Sequence, residues 1–322
     1  MSAAVWPPIS HEQLIKEEEN SLVPQDQPNI QNFENVDALQ ACELEWLLNL
    51  LQENLASLKN GLQECVALLA PKEPGSTLAL SSVRSESVKG FVTRIGTRII
   101  KGDINLRLIT LPPPRSSSSY PVHLQNPLPL PQLTALLTLL NQALDIIDIS
   151  RWTGDPHNGA FISGQLRLLA DTIEEAQQTL KGGEDVIGGK WWEDAMTKDS
   201  HSTKTFSPRI PPSLSLHLSI ADAALLLHVR TLAPPSTPES SLTGLSLRTR
   251  LGLSPRPPVH DELDQVFHYH GEEVTVKEKV RVESQDPSLM AVMAKLSALG
   301  HAVGGWRLRV GVVMGEDLEG DA

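Results

Sequence analysis

The chain has little that reacts. Among 322 residues there are two cysteines, Cys42 and Cys65. They are 23 residues apart, so a continuous helix holds them roughly 35 Å from each other. A disulfide needs Cα atoms within about 7 Å, which excludes an internal bridge. No N-x-S/T sequon occurs, and no run of about 18 uncharged apolar residues suggests a membrane span. The opening MSAAVWPPISHEQ has no apolar signal core. These features fit the cytosol or nucleus, and a cytoplasmic protein is the expectation. Positive charge is also short: 27 Lys and Arg stand against 39 Asp and Glu, a formal charge of −12. Such a chain repels phosphate backbones and anionic lipid, which argues against nucleic acid and direct membrane adhesion.

Catalytic signatures are missing as well. His11-Glu12 opens like H-E-x-x-H, but Ile15 stands where the second histidine belongs. Gly188-Gly189-Lys190 looks like a P-loop, but Glu184 replaces its first glycine and Trp191 its Ser/Thr. His260, His268 and His270 suggest metal ligands by type. The period-2 placement of the last two arises in any alternating strand, and no cysteine is near. His217 and His228 fare no better. No carboxylate pair stands out in an apolar context. No catalytic residue, cofactor site or metal site is assigned, and an enzyme is not expected.

What the chain does have is leucine at heptad spacing. Leu44, Leu48, Leu51, Leu55, Leu58, Leu62, Cys65 and Leu69 follow a 4-3 pattern, the seam of a long helix. Asp37 suits its N-cap, and Pro71, Pro74 and Gly75 end it. Leu130 to Ile147 repeats the habit and adds a second stripe at Leu136, Leu139, Ala143 and Ile146, as in a helix set deep between neighbours. Asn141, Asp145 and Asp148 argue against a membrane span there. Ile162 to Leu180 makes a third seam, stopped by Gly182 and Gly183. Asp286-Pro287 caps a fourth helix, whose later half is interrupted by Gly300, Gly304 and Gly305.

Between the helices lie strand signals: SVKGFVTRIGTRI, the alternation Asp103–Leu108, Leu214–Ile220 with Ala223–Thr231, and Val266–His270 turning at Gly271 into Val274–Val282. The expected fold is α+β: a four-helix bundle from N-terminal, central and C-terminal helices, joined to an antiparallel β-sheet subdomain. The expected division is a disordered tail over 1–35, a helical-bundle subdomain over 36–70, 127–182 and 286–314, and a β subdomain over 76–110 and 206–284. Flexible insertions are expected over 183–205 and 233–258. A DNA-binding zipper is ruled out by the acidic segment before the seam. A homodimer through Leu44–Leu69 is the alternative to an intramolecular bundle, and it would make the chain a structural coiled-coil scaffold. Trp191 and Trp192 are costly to leave in water: they either pack onto the chain's own bundle or serve as the candidate partner-binding anchors, since tryptophan is favoured at interface hot spots.

Several short motifs, in order, resemble the Rogdi family. They are Glu43 to Leu48 (ELEWLL), Val88-Lys89-Gly90, Asp103-Ile104-Asn105-Leu106, and Phe206-Ser207-Pro208-Arg209-Ile210-Pro211. The paired segments Leu214–Ile220 and Ala224–Thr231 and the closing helix follow. The resemblance spans about 40–314, apart from the insertions, and points to a filamentous-fungal-like member. It implies a leucine-zipper-like, non-enzymatic protein without cofactor. The fungal members are the smaller subunit of the RAVE complex, which helps assemble the vacuolar and endosomal proton-translocating ATPase (V-ATPase) and so supports vacuolar acidification. The implied partners are a large WD-repeat RAVE subunit, a Skp adaptor and the cytosolic sector of the V-ATPase. Membrane association would be indirect, by peripheral recruitment to vacuolar or endosomal membranes.

Overall fold

The computed structural model describes residues 30–82, 86–114, 117–152, 158–182, 205–235, 259–263 and 265–315. Among the described residues there are four helices: α1 (Ile30–Leu69), α2 (Pro131–Trp152), α3 (Gly159–Lys181) and α4 (Pro287–Met314). β1 (Ser76–Ser81), β2 (Val88–Ile95), β3 (Arg98–Leu106), β4 (Tyr120–Leu124) and β5 (Leu128–Pro129) separate α1 from α2. β6 (Phe206–Ser207), β7 (Leu214–Ala221), β8 (Ala224–Ala233), β9 (Val266–Tyr269) and β10 (Glu272–Gln285) separate α3 from α4.

The expected four-helix bundle beside a single sheet is not what forms. The helices are dispersed along the chain with strands between them. The strands make two antiparallel sheets, one ordered β1-β2-β3-β4-β6 with β5 also on β3, the other β7-β8-β10-β9. One continuous core takes in Leu51 and Leu62 of α1, Leu140 of α2, Leu169 of α3 and Leu296 of α4. It also takes in Val92 and Ile104 of the first sheet and Leu227 and Val282 of the second. The physical reason for the error is that heptad spacing shows which face is buried and not what covers it. A helical seam is satisfied by strands as well as by helices. Here α1 packs on α2 and α4, α3 packs on α2 and α4, and both α2 and α3 also meet β7.

The zipper seam is turned inward. Leu48, Leu51, Leu55, Leu58, Leu62, Cys65 and Leu69 are buried in the chain's own core, so a homodimer through this seam would require opening the fold. Asp37 is not the cap of α1, because the helix already starts at Ile30. The stretch 131–151 of α2 is long and apolar enough to cross a membrane by length and composition. Its apolarity has another cause: Leu133, Leu136, Leu140, Ala143 and Ile147 are buried between neighbours, while Asp148 pairs with Lys59 of α1. The glycine-interrupted last helix is continuous from Pro287 to Met314.

Specific polar contacts lock these layers together. Asp286, fully buried, caps α4 by accepting from the Ser288 and Leu289 amides at 2.9 and 3.4 Å. Its other oxygen accepts from Arg94 Nε of β2 at 2.6 Å, and Arg94 Nη1 donates to Gly96 O at 2.6 Å. One ion pair thus ties the first sheet to the last helix. Gln132, at the start of α2, donates to Ile220 O at 2.9 Å and accepts from Ile220 N at 2.6 Å. Its amide acts as a strand neighbour at the open edge of β7. The β7–β8 turn, with Asp222 and Ala223 at positive φ, donates from both amides to Lys181 O and Leu180 O at the end of α3. Buried Glu278 accepts from the Thr110 amide and hydroxyl at 3.0 and 2.9 Å, which ties the connection after β3 to the second sheet. At Gly90 a Cβ would run into Asp103 O of β3, so only glycine fits that point of the β2–β3 pairing.

Candidate interaction surfaces

Of the sites expected from sequence, Trp191 and Trp192 lie outside the described residues, as do the His11 motif and the P-loop-like run. The insertions over 183–205 and 233–258 fall almost wholly outside them too, as does most of the 1–35 tail. His260, His268 and His270 are described and do not converge. His260 Nδ1 accepts from the Glu262 amide at 3.2 Å. His268 lies on β9 opposite Glu273. His270 sits in the following turn at positive φ, its ring edge-on to Tyr269 at 4.2 Å. Among the described residues no group of three or more His, Cys, Asp or Glu is arranged to hold a metal ion.

The outer face of the second sheet collects charge in cross-strand rows. Ser215, Arg230 and Lys279 form one row, and His217, His228 and Arg281 form the next. The segment 259–263 supplies the counter-charges. Glu262 accepts a two-pronged contact from Arg230 at 2.7 and 2.8 Å and a third from Lys279 at 2.7 Å. Lys279 also reaches both oxygens of Asp261, at 2.8 and 3.0 Å. Burial alone would raise the Glu262 carboxyl, but Arg230 and Lys279 outweigh it and hold it below the usual carboxylate range. The Lys279 hydrogen bond does the same for Asp261. Burial lowers His228 to about 4, helped by Arg230, His217, Lys279 and Arg281 around it. His228 is therefore neutral at physiological pH, and the network is a structural clamp on the 259–263 segment.

The helices expose a different kind of surface. Trp46 is 64% exposed and Leu39 70%, both on α1. On α4, Leu308 is 54% exposed and Val312 63%. Gln40 Nε2 donates to Val313 O at 2.5 Å, which places the third turn of α1 beside the last turns of α4. Leu39 and Trp46 are seven residues apart on α1, and Leu308 and Val312 four apart on α4, so each pair shares one outward face of its own helix. The sequence reading passed over Trp46 although it quoted the ELEWLL motif. The missed signal is angular: Trp46 sits midway between Leu44 and Leu48, about 200° around the helix from the buried seam. Cys42 is exposed on the same helix, whereas Cys65 is buried, and burial pushes its thiol up to about 11 despite nearby Lys295.

The model for the Rogdi leucine zipper containing proteins matches residues 43–310, from α1 through both sheets into α4. The chain belongs to the Rogdi family. The chain is also 25% identical over 289 residues to the Regulator of V-ATPase in vacuolar membrane protein 2 of Schizosaccharomyces pombe, covering 81% of this chain and 90% of that relative. The motifs that carried the resemblance have distinct places in this Rogdi fold. ELEWLL lies in α1, with Leu47 and Leu48 turned in and Trp46 turned out. Val88-Lys89-Gly90 opens β2 and pairs in register with Leu106, Asn105 and Ile104, which close β3. Phe206-Ser207 forms the short β6 at the edge of the first sheet, and Leu214–Ile220 with Ala224–Thr231 forms the β7–β8 hairpin.

Proposed function

We propose that this chain is a non-catalytic subunit of a RAVE-like complex that promotes assembly of the vacuolar or endosomal proton-translocating ATPase through protein–protein binding. The observation that carries the reading is the match to the Rogdi model across 43–310, supported by similarity to a relative named a regulator of V-ATPase in the vacuolar membrane. The architecture suits such work. A continuous core and buried clamps, Arg94–Asp286 among them, hold surfaces in fixed relation. A rigid surface binds with little ordering cost. The partners in this reading are a large WD-repeat subunit, a Skp adaptor and the cytosolic ATPase sector. The chain is cytoplasmic and reaches the vacuolar membrane through them.

Affinity purification of the full-length chain from its own cells tests this. The expected result is co-purification of a WD-repeat protein and of cytosolic ATPase subunits, at levels well above an unrelated bait. Recovery of neither would overturn the reading.

A further inference from the structure

We propose that the outward face of α4 is the docking site for one acidic amphipathic helix of a partner protein. This rests on the reading of the chain as a binding subunit and names the surface and the chemistry it recognises. α4 carries two heptad seams. The inner seam runs from Leu289 through Leu296 and Val303 to Val310 and is buried. The outer seam is Met290, Ala294, Ser297, His301, Gly304 and Leu308, spaced 4-3-4-3-4, with Val312 one turn further on. It lies roughly 150° around the axis from the inner one. All of its members are exposed except the half-buried Ser297.

A helix with two seams belongs between two neighbours. α2 is the satisfied case: its second stripe, Leu136, Leu139, Ala143 and Ile146, is buried like its first. α4 has the same double habit, but α1 and α3 pack only on its inner side. There Lys295 reaches Glu64 of α1, and Gln177 of α3 donates to Leu296 O at 3.0 Å. The glycines divide the same way. A Cβ at Gly300 would press on Gln177 of α3 at 2.9 Å, so packing inside the chain explains that glycine. Among the described residues a Cβ on Gly304 or Gly305 meets nothing within 4 Å. Glycine is the weakest helix former after proline. These two keep the middle of the outer seam low, so that another helix axis can come close.

The 4-3 spacing calls for a helix, because its holes are filled by the knobs of a second helix. Charge selects the kind. Across its 28 residues α4 has no Asp or Glu, and it carries Lys295, Arg307 and Arg309 in a chain of formal charge −12. Arg307 and Arg309 flank Leu308, about 100° to either side of it. Arg309 stacks 5.1 Å over the Trp306 ring and has no ion-pair partner among the described residues. Charges beyond about 8 Å are largely screened at physiological salt, so this local positive rim decides what docks. The complementary occupant is a helix with an apolar stripe at 3-4 spacing and carboxylates along its flanks. A second α4 would set cations against cations. A lipid surface fits poorly, because Ser297 and His301 sit in the middle of the seam and the large apolar side chains are confined to its ends.

The test begins with a photo-crosslinking phenylalanine analogue in place of Leu308 in the full-length chain, expressed in its own cells. The expected crosslink is to a segment of another protein with an apolar 3-4 stripe flanked by Asp or Glu. A synthetic peptide of that segment should then bind the purified full-length chain. Leu308→Asp should weaken binding by roughly tenfold or more, and Arg309→Glu by roughly threefold. Both side chains are exposed, so thermal unfolding should stay unchanged. Exchanging the peptide's flanking carboxylates for lysine should restore binding to Arg309→Glu, a reversal that a purely structural role does not produce. If Leu308→Asp proves unstable, Arg309→Glu with the exchanged peptide decides alone. The docking proposal is overturned by crosslinks to this chain itself, to a second copy, to phospholipid, or to a segment without acidic flanks. It is equally overturned if either folded variant binds the peptide as tightly as the parent chain. If ATPase subunits co-purify while Leu308 gives no crosslink, the docking proposal fails and the functional reading stands. A patterned crosslink with neither ATPase subunits nor a WD-repeat protein recovered keeps the docking site and overturns the functional reading.

Discussion

Asp286→Asn separates two roles that one side chain plays. Asparagine caps helices about as well as aspartate, so the amides of Ser288 and Leu289 keep their acceptor. What is lost is the charge facing Arg94, whose guanidinium is buried at 2.6 Å from the carboxylate. Removing one member of a buried pair typically costs about 3–5 kcal/mol, because the other charge stays in the interior uncompensated. Here Arg94 keeps its bond to Gly96 O, which places the expected loss near the lower end, at about 3 kcal/mol. Asp286→Ala removes the cap too, and a further 1 kcal/mol or so is expected. Against a net stability of about 5–15 kcal/mol these are large fractions. For a chain of 322 residues, on the order of 2 °C per kcal/mol, Asp286→Asn should lower the melting temperature by about 6 °C. Urea unfolding followed by far-ultraviolet circular dichroism measures the loss directly. The double variant Arg94→Met/Asp286→Asn should recover part of it, since no unpaired charge remains. A loss below about 1 kcal/mol for Asp286→Asn would refute the reasoning, as would a double variant no more stable than the single one.

Gly90→Ala should destabilise by about 1–3 kcal/mol, because the added carbon meets the Asp103 carbonyl and the β2–β3 pair must open; chemical denaturation midpoints check this. A thiol reagent should modify Cys42 rapidly and Cys65 only on unfolding, since Cys65 is buried and burial raises its thiol to about 11; labelling followed by peptide mass measurement separates the two. His228 has a folded pKa near 4, below its ordinary 6.5, so the fold favours the neutral ring. Its contribution is present above about pH 6.5 and is lost as pH falls toward 4. His228→Gln should therefore flatten the decline of the urea midpoint between pH 7 and pH 4.

How much of this was legible follows from the range of each signal. The α1 seam was, because burial of Leu48 to Leu69 is a property of one helix and its period. The two hairpins were, because Asp222 and Gly271 sit in turns that only a few residue types adopt, and both turns carry positive φ. The Asp286-Pro287 start of α4 was legible for the same local reason. Partnership across the chain was not. Nothing near Arg94 announces a counter-ion 192 residues away, and nothing near Gln132 announces that its amide will serve Ile220. The division of the described strands into two sheets depends on such pairings, so the single expected sheet was wrong. The β4, β5 and β6 strands are short and contain or border Pro121, Pro129 and Pro208, which removed the alternation that marks a strand. At the surface, the exposure of Trp46 was hidden because it read as part of a leucine-rich motif, and its outward angle only matters once the seam is known to face the core.

The central claim is that the chain acts on the proton pump through binding. The most direct measurement is on vacuolar membranes from cells with the chain deleted and then restored. The account predicts that deletion lowers ATP-driven proton pumping and the amount of cytosolic ATPase sector on the membrane, while the membrane-embedded sector persists and restoration reverses both. Unchanged pumping with an unchanged ratio of the two sectors would contradict it.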